Sequence, residues 1–509
     1  MTVWLRGDHL VRRRGPLADR PNERVVLVEA TSFARKLPYH PHKLTLVFSA
    51  MRHFRDELRD AGRTVDYYRE ETFADALERH FEAHPSDTLV TPAPVTERER
   101  DRLTELVETA GGSVEFVDDE RFVCSPAQFD EWAGEADGYR HEDFYRFLRR
   151  ETGYLMDGDR PVGGEWNYDD QNRETPPADW TAPDPPAFEP DALTREVAAW
   201  VDETFAGGYD EPPYGGDWAD PAPFRWPVTR RQAVRALDDF VANRLAEYGP
   251  YQDAMRCDEW AMSHSLLSTS LNLGLLGPRE VIKRAIAAYE DDQAPLNSVE
   301  GFVRQVLGWR EFLRHVYRRE MPALAEANQL GAEEDLPPFY WTGETNMACL
   351  ADVVDGVRTR GYSHHIERLM LLSNFALVYG VDPAQLNRWF HAGYVDAFHW
   401  VTTPNVVEMG LFGAGVFATK PYAASANYVD RMSDYCSGCP YYKTKTTGEG
   451  ACPFNALYWD FLDRNEGQLR SNHRMGLVYG HLDNKDQEER EAIRERAETV
   501  RTMATRGDL

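Results

Sequence analysis

The residues with the clearest chemistry are four cysteines, Cys349, Cys436, Cys439 and Cys452. Cys436-Ser-Gly-Cys439 is a two-sulfur clip, Cys452 follows it and precedes Pro453, and Cys349 can be brought in from a distant helix. Four thiolates can then surround one centre, which suits a structural zinc ion or an iron–sulfur cluster, and the spacing does not separate the two. Cys124 and Cys257 stand apart and read as small buried side chains. A second group is the adjacent pair His364-His365, whose imidazoles can move a proton near neutral pH. Neighbouring helical residues diverge by about 100°, so only one of the two can face a given cavity. A third is the hydroxyl-bearing run His264-Ser265-Leu266-Leu267-Ser268, whose plainest reading is a helix cap.

Composition limits what these groups can serve. A chain of 509 residues is expected to form two or three folded units. The start, MTVWLRGDHL, lacks the basic and apolar regions of a signal peptide, and no run approaches the ~18 apolar residues that span a bilayer. A cytoplasmic monomer with no membrane partner is expected, and structural disulfides are then improbable. The net charge is −28, and the only lysines are Lys36, Lys43, Lys283, Lys420, Lys443, Lys445 and Lys485. So acidic and lysine-poor a surface suggests a salt-rich cytoplasm, as in a halophilic archaeon. It also excludes diffuse nucleic-acid binding, which needs basic patches. Any DNA surface must be a local island, and Arg304, Arg310, Arg314, Arg318 and Arg319, with Lys420, Lys443 and Lys445, supply the candidates. The charge pattern alone equally fits a solvated helix face laced with Glu311 and Glu320.

The elements that must position these groups fall into three stretches. Residues 1–135 alternate strand-like segments (2–6, 25–29, 44–49, 64–68, 88–92 and 113–117) with helical ones (51–61, 73–84 and 98–110), which predicts an α/β domain with a doubly wound parallel sheet. Residues 136–226 form a connector that becomes rich in Pro, Gly, Trp and acidic residues from about position 158. Residues 227–509 read as helical almost throughout, with amphipathic runs at 229–248, 279–291, 299–319 and 364–379.

The segments DEWAMSHSLLSTSLNLGLLGP, NSVEGFVRQVLGWREFLRHVYRR, YSHHIERLMLLSNFAL, TKPYAASANYVDRMSDYCSGC and CPFNALYWDFLDRN resemble the iron–sulfur bacterial cryptochromes and photolyases, often described as prokaryotic (6-4) photolyases. LRGDHL and FSAMRHFRDELR extend the resemblance over nearly the whole chain. It implies an α/β antenna domain, an all-α FAD-binding domain, and a 4Fe-4S cluster on Cys349, Cys436, Cys439 and Cys452, which tips the choice between zinc and iron toward iron.

The resemblance also implies roles for particular residues. His264, Ser265, Leu267 and Ser268 match the segment that receives the FAD pyrophosphate; Tyr251, Gln305, Trp309 and Arg310 would line the opposite side. Asp396 and Asn405 match the segment beneath the isoalloxazine ring, where they would tune the flavin. Trp389 and Trp341 match aromatics that carry electrons to it, although Phe390 stands where the family has tyrosine. His365 matches the proton donor at the DNA lesion, beside His364, with Leu369, Met409, Tyr422 and Tyr428 shaping the pocket. A 6,7-dimethyl-8-ribityllumazine antenna would sit near Val28-Glu29-Ala30, Thr31-Ser32-Phe33-Ala34 and Phe48-Ser49-Ala50, at the carboxyl ends of strands. The implied activity is light-driven repair of (6-4) photoproducts in ultraviolet-damaged DNA, with the lesion flipped out of the stack. A cyclobutane-dimer photolyase, a cryptochrome-like photoreceptor and a zinc-stapled nucleic-acid-binding protein are the alternatives.

Overall fold

The computed structural model describes residues 1–136, 138–206 and 218–509; residue 137 and the 207–217 part of the connector lie outside the described residues. Five strands, β1 (Thr2–Leu5), β2 (Arg24–Ala30), β3 (Val65–Glu70), β4 (Thr88–Pro92) and β5 (Ser113–Val117), form one parallel sheet in the order β3-β2-β1-β4-β5. The order reverses between β1 and β4, as in a doubly wound sheet. Capping boxes start the crossover helices: Thr72 with Asp75 before Phe73–Ala83, and Thr96 with Glu99 before Glu97–Thr109.

One expected strand is absent. Residues 44–49 lie inside a 20-residue helix, Pro41–Asp60, opened by Pro41 in its first turn and by the His40 ring, which accepts the His42 amide at 3.0 Å. The unbroken run Leu-Thr-Leu-Val-Phe-Ser fits a buried strand or a buried helix equally well. Burial on several sides resolves it. The helix lies against β2 and β3 on one side and against the connector helix Ala192–Phe205 on another, while Lys43 Nζ donates to His391 O in the helical half at 2.6 Å. Phe48, expected at a strand's carboxyl end, packs instead on Trp200 and Phe205, with ring centroids 5.1 and 6.3 Å away. Glu29 is fully engaged as well, by Arg52 at 2.8 and 2.9 Å, Arg69 at 3.2 Å and the Tyr67 hydroxyl.

The connector is built into the molecule. Its helix His141–Thr152 crosses the helical half at Gly308, where a Cβ would lie 2.7 Å from His141 Nε2. The helical half contains three π turns, Arg304–Trp309, Arg368–Ser373 and Pro404–Gly410, each continuous with an α-helix. Such turns shift the helical register by one residue and are frequent at functional sites. They carry Gln305 and Trp309, Leu369, and Asn405 and Met409 respectively. The second and third pack on each other.

The expected basic face is not formed. Arg304 is buried and paired with Asp169 and Glu300. Arg310 and Arg314 are buried over the Phe122 ring, at 4.2 and 4.0 Å, and Arg318 and Arg319 both bind Asp130. Glu311 accepts the backbone amides of Val123 and Cys124 at 2.9 and 3.0 Å. The Arg310–Glu320 helix is therefore a strut between the sheet domain and the helical half. Arg310 and Arg314 match buried carbonyls while Arg318 and Arg319 pair with the exposed Asp130, roles that charge counting along a helix does not reveal.

Candidate functional site

Asp396 follows the helix Pro383–Gly393 and is buried. The Arg368 guanidinium grips its carboxylate at 3.0 and 3.1 Å, and the Ser268 hydroxyl donates to it at 2.7 Å. Asn272 Nδ2 donates to the Asp396 carbonyl at 3.0 Å. Arg368 is held in turn by Ser363 O at 2.8 Å and lies over the Tyr394 ring at 4.1 Å. Burial opposes its charge, but Asp396 and the neighbouring tyrosines outweigh that and raise the guanidinium above its ordinary value. Lys43 reaches this neighbourhood from the sheet domain; burial lowers its ammonium to about 7 even though Asp396 works the other way. Arg368, Lys43 and Asn272 escaped the sequence reading. The available signal for Arg368 was a lone arginine in the otherwise apolar run Leu369–Leu372 beside the histidine pair.

The segment carrying Ser268 is held in an unusual shape. Asp258, Met262 and Leu266, none of them glycine, adopt left-handed backbone with φ of 67°, 44° and 57°. Conformations of that kind persist where surrounding structure enforces them, commonly at binding sites. Ser263 Oγ, His264 Nε2, Thr269 Oγ1 and Ser270 Oγ are buried with no hydrogen-bond partner in the protein. Buried polar groups are normally satisfied, so these atoms mark a place suited to a polar ligand. Ser265 Oγ accepts only the Leu267 amide at 3.4 Å, and Leu267 is buried.

The segments that carry Ser268 and Arg368 also carry three imidazoles, His264 on the first and His364 and His365 on the second. His264 stacks on His364 with centroids 4.6 Å apart and meets His365 edge-on at 5.1 Å. His364 is fully buried at the cap of the short helix His365–Glu367, where its amide donates to Glu367 at 3.0 Å. His365 instead keeps 46% of its side chain exposed, with Nε2 3.6 Å from Asp253 Oδ1. Burial, then the two neighbouring imidazoles, push His264 well below its ordinary value, so it stays neutral. Tyr428 lies near Asp253, and burial together with that carboxylate raises its hydroxyl. Leu369 and Met409 are half-buried and Tyr422 is exposed.

The other expected contacts divide. Gln305 donates to its own helix at Gly301 O, 3.3 Å, and Asn405 Nδ2 to Val401 O at 2.8 Å, so each keeps its amide oxygen for a ligand. Trp309 stacks face to face on His141 at 3.7 Å. Tyr251 packs on Trp180 at 5.3 Å. Arg310 is directed elsewhere: it donates to Arg121 O at 2.9 Å, lies between Phe122 and Trp400, and burial lowers it to about 10.

Aromatic rings lead away from the ion pair. Trp389 meets Tyr394 at 5.8 Å and Trp341 at 6.5 Å, and Trp341 meets Trp218 at 5.0 Å. Phe390 stacks on Tyr394 at 5.0 Å, which puts a tyrosine next to the position where phenylalanine breaks the expected pattern.

The four cysteines line one enclosed cavity with Tyr435, Tyr441 and Lys443. Cys349 sits at the start of the helix Ala348–Arg360, Cys436 in the turn Tyr435–Ser437, and Cys452 caps the helix Pro453–Arg464. Tyr442 accepts the Cys452 amide at 3.3 Å and donates to Gly450 O at 2.7 Å, folding the intervening loop back. Burial and the other thiols push Cys349 well above its ordinary value, and burial pushes Cys436 to about 11 and Cys452 to about 12.

The sheet order and the helical half have counterparts in two solved structures. The chain is similar to a bacterial class III photolyase from Agrobacterium tumefaciens (TM-score 0.59, 19% identity, 85% of this chain and 86% of that one) and to the Synechocystis cryptochrome (TM-score 0.59, 13%, 99% and 98%). The fold is that of photolyases and cryptochromes. In sequence, residues 3–212 match the family described as deoxyribodipyrimidine photo-lyase-related protein, and the chain is 40% identical over 504 residues to the (6-4) photolyase of Agrobacterium fabrum, covering 97% of this chain and 98% of that protein. The chain belongs to this bacterial (6-4) photolyase family.

Removing the guanidinium at the centre of the pocket should be severe. Arg368→Leu leaves Asp396 buried and unpaired, which costs about 3–5 kcal/mol for pairs of this kind. We expect lower denaturant stability and a lower ratio of flavin to protein absorbance; wild-type values for both would show that the pair is dispensable.

Proposed function

We propose that this chain is a (6-4) DNA photolyase. The observation that carries the reading is the make-up of the site: a buried Arg368–Asp396–Ser268 cluster and, on the segments that carry Ser268 and Arg368, three mutually packed imidazoles of which His365 alone is exposed. The residues fit a flavin. The unpartnered hydroxyls of Ser263, Thr269 and Ser270 suit phosphates or ribityl hydroxyls, and the Asp396 carboxylate suits a ring edge. Bound there, reduced FAD supplies a light-excited electron to the lesion. His365 holds the proton that the migrating hydroxyl or amino group requires, Asp253 orients the ring, and neutral His264 can accept a hydrogen bond from behind. Leu369, Met409, Tyr422 and Tyr428 exclude water around a flipped base. Lys420 and Lys445 are exposed and suited to phosphate, whereas Lys443 is paired with Asp430. The antenna of this reading is ribityllumazine at the carboxyl edge of the sheet beside Thr31–Ala34, because Glu29 and Phe48 are engaged internally.

The cysteine cavity supports a 4Fe-4S cluster. Buried thiols raised in this way need a cationic metal centre among them to become thiolates, and the family resemblance favours an iron–sulfur core over zinc for it.

The decisive test is illumination of the reduced protein with oligonucleotides carrying one (6-4) product or one cyclobutane dimer. Restoration of the first and not the second is expected. Turnover of only the dimer overturns the substrate, and turnover of neither points to the photoreceptor reading. Electron supply is checked separately: Trp389→Phe should photoreduce its flavin far more slowly under blue light with an external donor. An unchanged rate would remove the Tyr394–Trp389–Trp341 path.

A further inference from the structure

A second cluster of ligating side chains lies on the sheet domain, at its edge strand. Asp66 is on β3, and His80 and His84 stand one helical turn apart, at the end of the helix Phe73–Ala83 and at its cap. His84 Nε2 is 3.5 Å and His80 Nδ1 3.9 Å from the same oxygen, Asp66 Oδ2. All three ligand atoms lie within 4.8 Å of one another. These separations are too long for good hydrogen bonds. They are close to the edges of a coordination shell, since ligands at ~2.0–2.1 Å around a tetrahedral zinc sit about 3.3 Å apart.

We propose that Asp66, His80 and His84 form a binding site for a divalent cation of the zinc class. Two imidazoles and one carboxylate form a three-ligand set that leaves one position for water. The surroundings are arranged as such ligands require. Asp87 Oδ2 lies 3.3 Å from His80 Nε2, so the carboxylate takes that proton and leaves the Nδ1 lone pair between Asp66 and the Tyr68 hydroxyl, 3.4 Å away, which an ion would displace. Asp87 is itself fixed by the Thr2 hydroxyl at 2.5 Å. His80 is fully buried, and burial keeps its imidazole neutral in spite of Asp87. Arg24 orients the Asp66 carboxylate through one nitrogen, at 2.8 and 2.9 Å from its two oxygens. The Arg24 charge and the Met1 ammonium, 2.6 Å from Asp87 Oδ1, weigh against a cation, and the Asp66 and Asp87 carboxylates offset them. An ordinary buried histidine would need only Asp87; the convergence of His84 on the same Asp66 oxygen is what that account leaves unexplained. A bound ion would clamp the edge strand to its own crossover helix.

The test uses the full chain with its cofactors, cleared of loose metal on a chelating resin and then equilibrated with micromolar Zn²⁺. Metal analysis should show one zinc per wild-type chain, with a higher melting temperature, and both should be lost in His84→Ala and in Asp66→Asn. His84 keeps a third of its side chain exposed, so its variant should fold; circular dichroism and flavin absorbance check this. His365→Ala should still take up zinc. No uptake by the wild type, or uptake kept by His84→Ala and lost by His365→Ala, overturns the site; the second result would place the ion on the other histidine cluster.

Discussion

His365→Ala should keep its flavin and bind damaged DNA, yet lose at least about 100-fold in (6-4) repair, the scale on which a positioned general acid contributes. His365 is half-exposed beside Asp253, meets His264 and His364 only edge-on, and caps no helix, so its ring can be removed with little disturbance. His364→Ala should behave in the opposite way. That ring is wholly buried against His264, and its loss opens a cavity beside His264. Reduced stability and weaker flavin retention are expected, with repair per bound flavin less affected. Single-turnover repair yield, normalised to flavin content, separates the two. Full repair by the His365 variant would show that the proton comes from elsewhere.

Cys349→Ser should be more damaging to the protein than any change in the flavin pocket. Cys349 belongs to a helix far in sequence from Cys436, Cys439 and Cys452, so a centre shared by the four cross-links the helical half to the C-terminal segment. The same segment is also held by the Tyr435 hydroxyl, which donates to Asp352 on the Cys349 helix at 2.7 Å, by the Asn346 amide donating to Leu509 O at 2.6 Å, and by Phe454 packed on Phe375, so the centre reinforces an existing contact. Structural metal centres of this type contribute on the order of 10 kcal/mol, comparable to the whole stability of a domain. Insoluble or iron-free protein is the expected result. Purified wild type containing iron, with absorbance near 400 nm beyond that of the flavin, supports the cluster; stoichiometric zinc without iron refutes it.

The sequence by itself determined a good part of this. Period-two and helical patterns placed four of the five strands to within two residues and β1 to within one, and the thiol spacing anticipated that Cys349, Cys436, Cys439 and Cys452 would share one cavity. The family motifs pointed to Ser268, Asp396 and the histidine pair, which the fold gathers into one pocket. Local pattern carries that information because strand alternation, turn residues and tight ligand spacing are set within a few positions of the chain.

Tertiary structure decided the rest. Whether residues 44–49 become strand or helix depends on how many sides are buried, and the packing of the connector helix and of His391 onto Pro41–Asp60 settles that from afar. The arginines of 304–319 are basic in any sequence reading, and only the burial of Arg304, Arg310 and Arg314 against Asp169 and Phe122, with Arg318 and Arg319 paired to Asp130, makes them struts. The bond between Arg368 and Asp396 joins a helix to the turn after another, and the three π turns shift the register of helices that carry residues the family resemblance singles out. Charge and hydropathy along a chain describe what each side chain can do; desolvation and partner geometry, which exist only once distant segments meet, decide what it does.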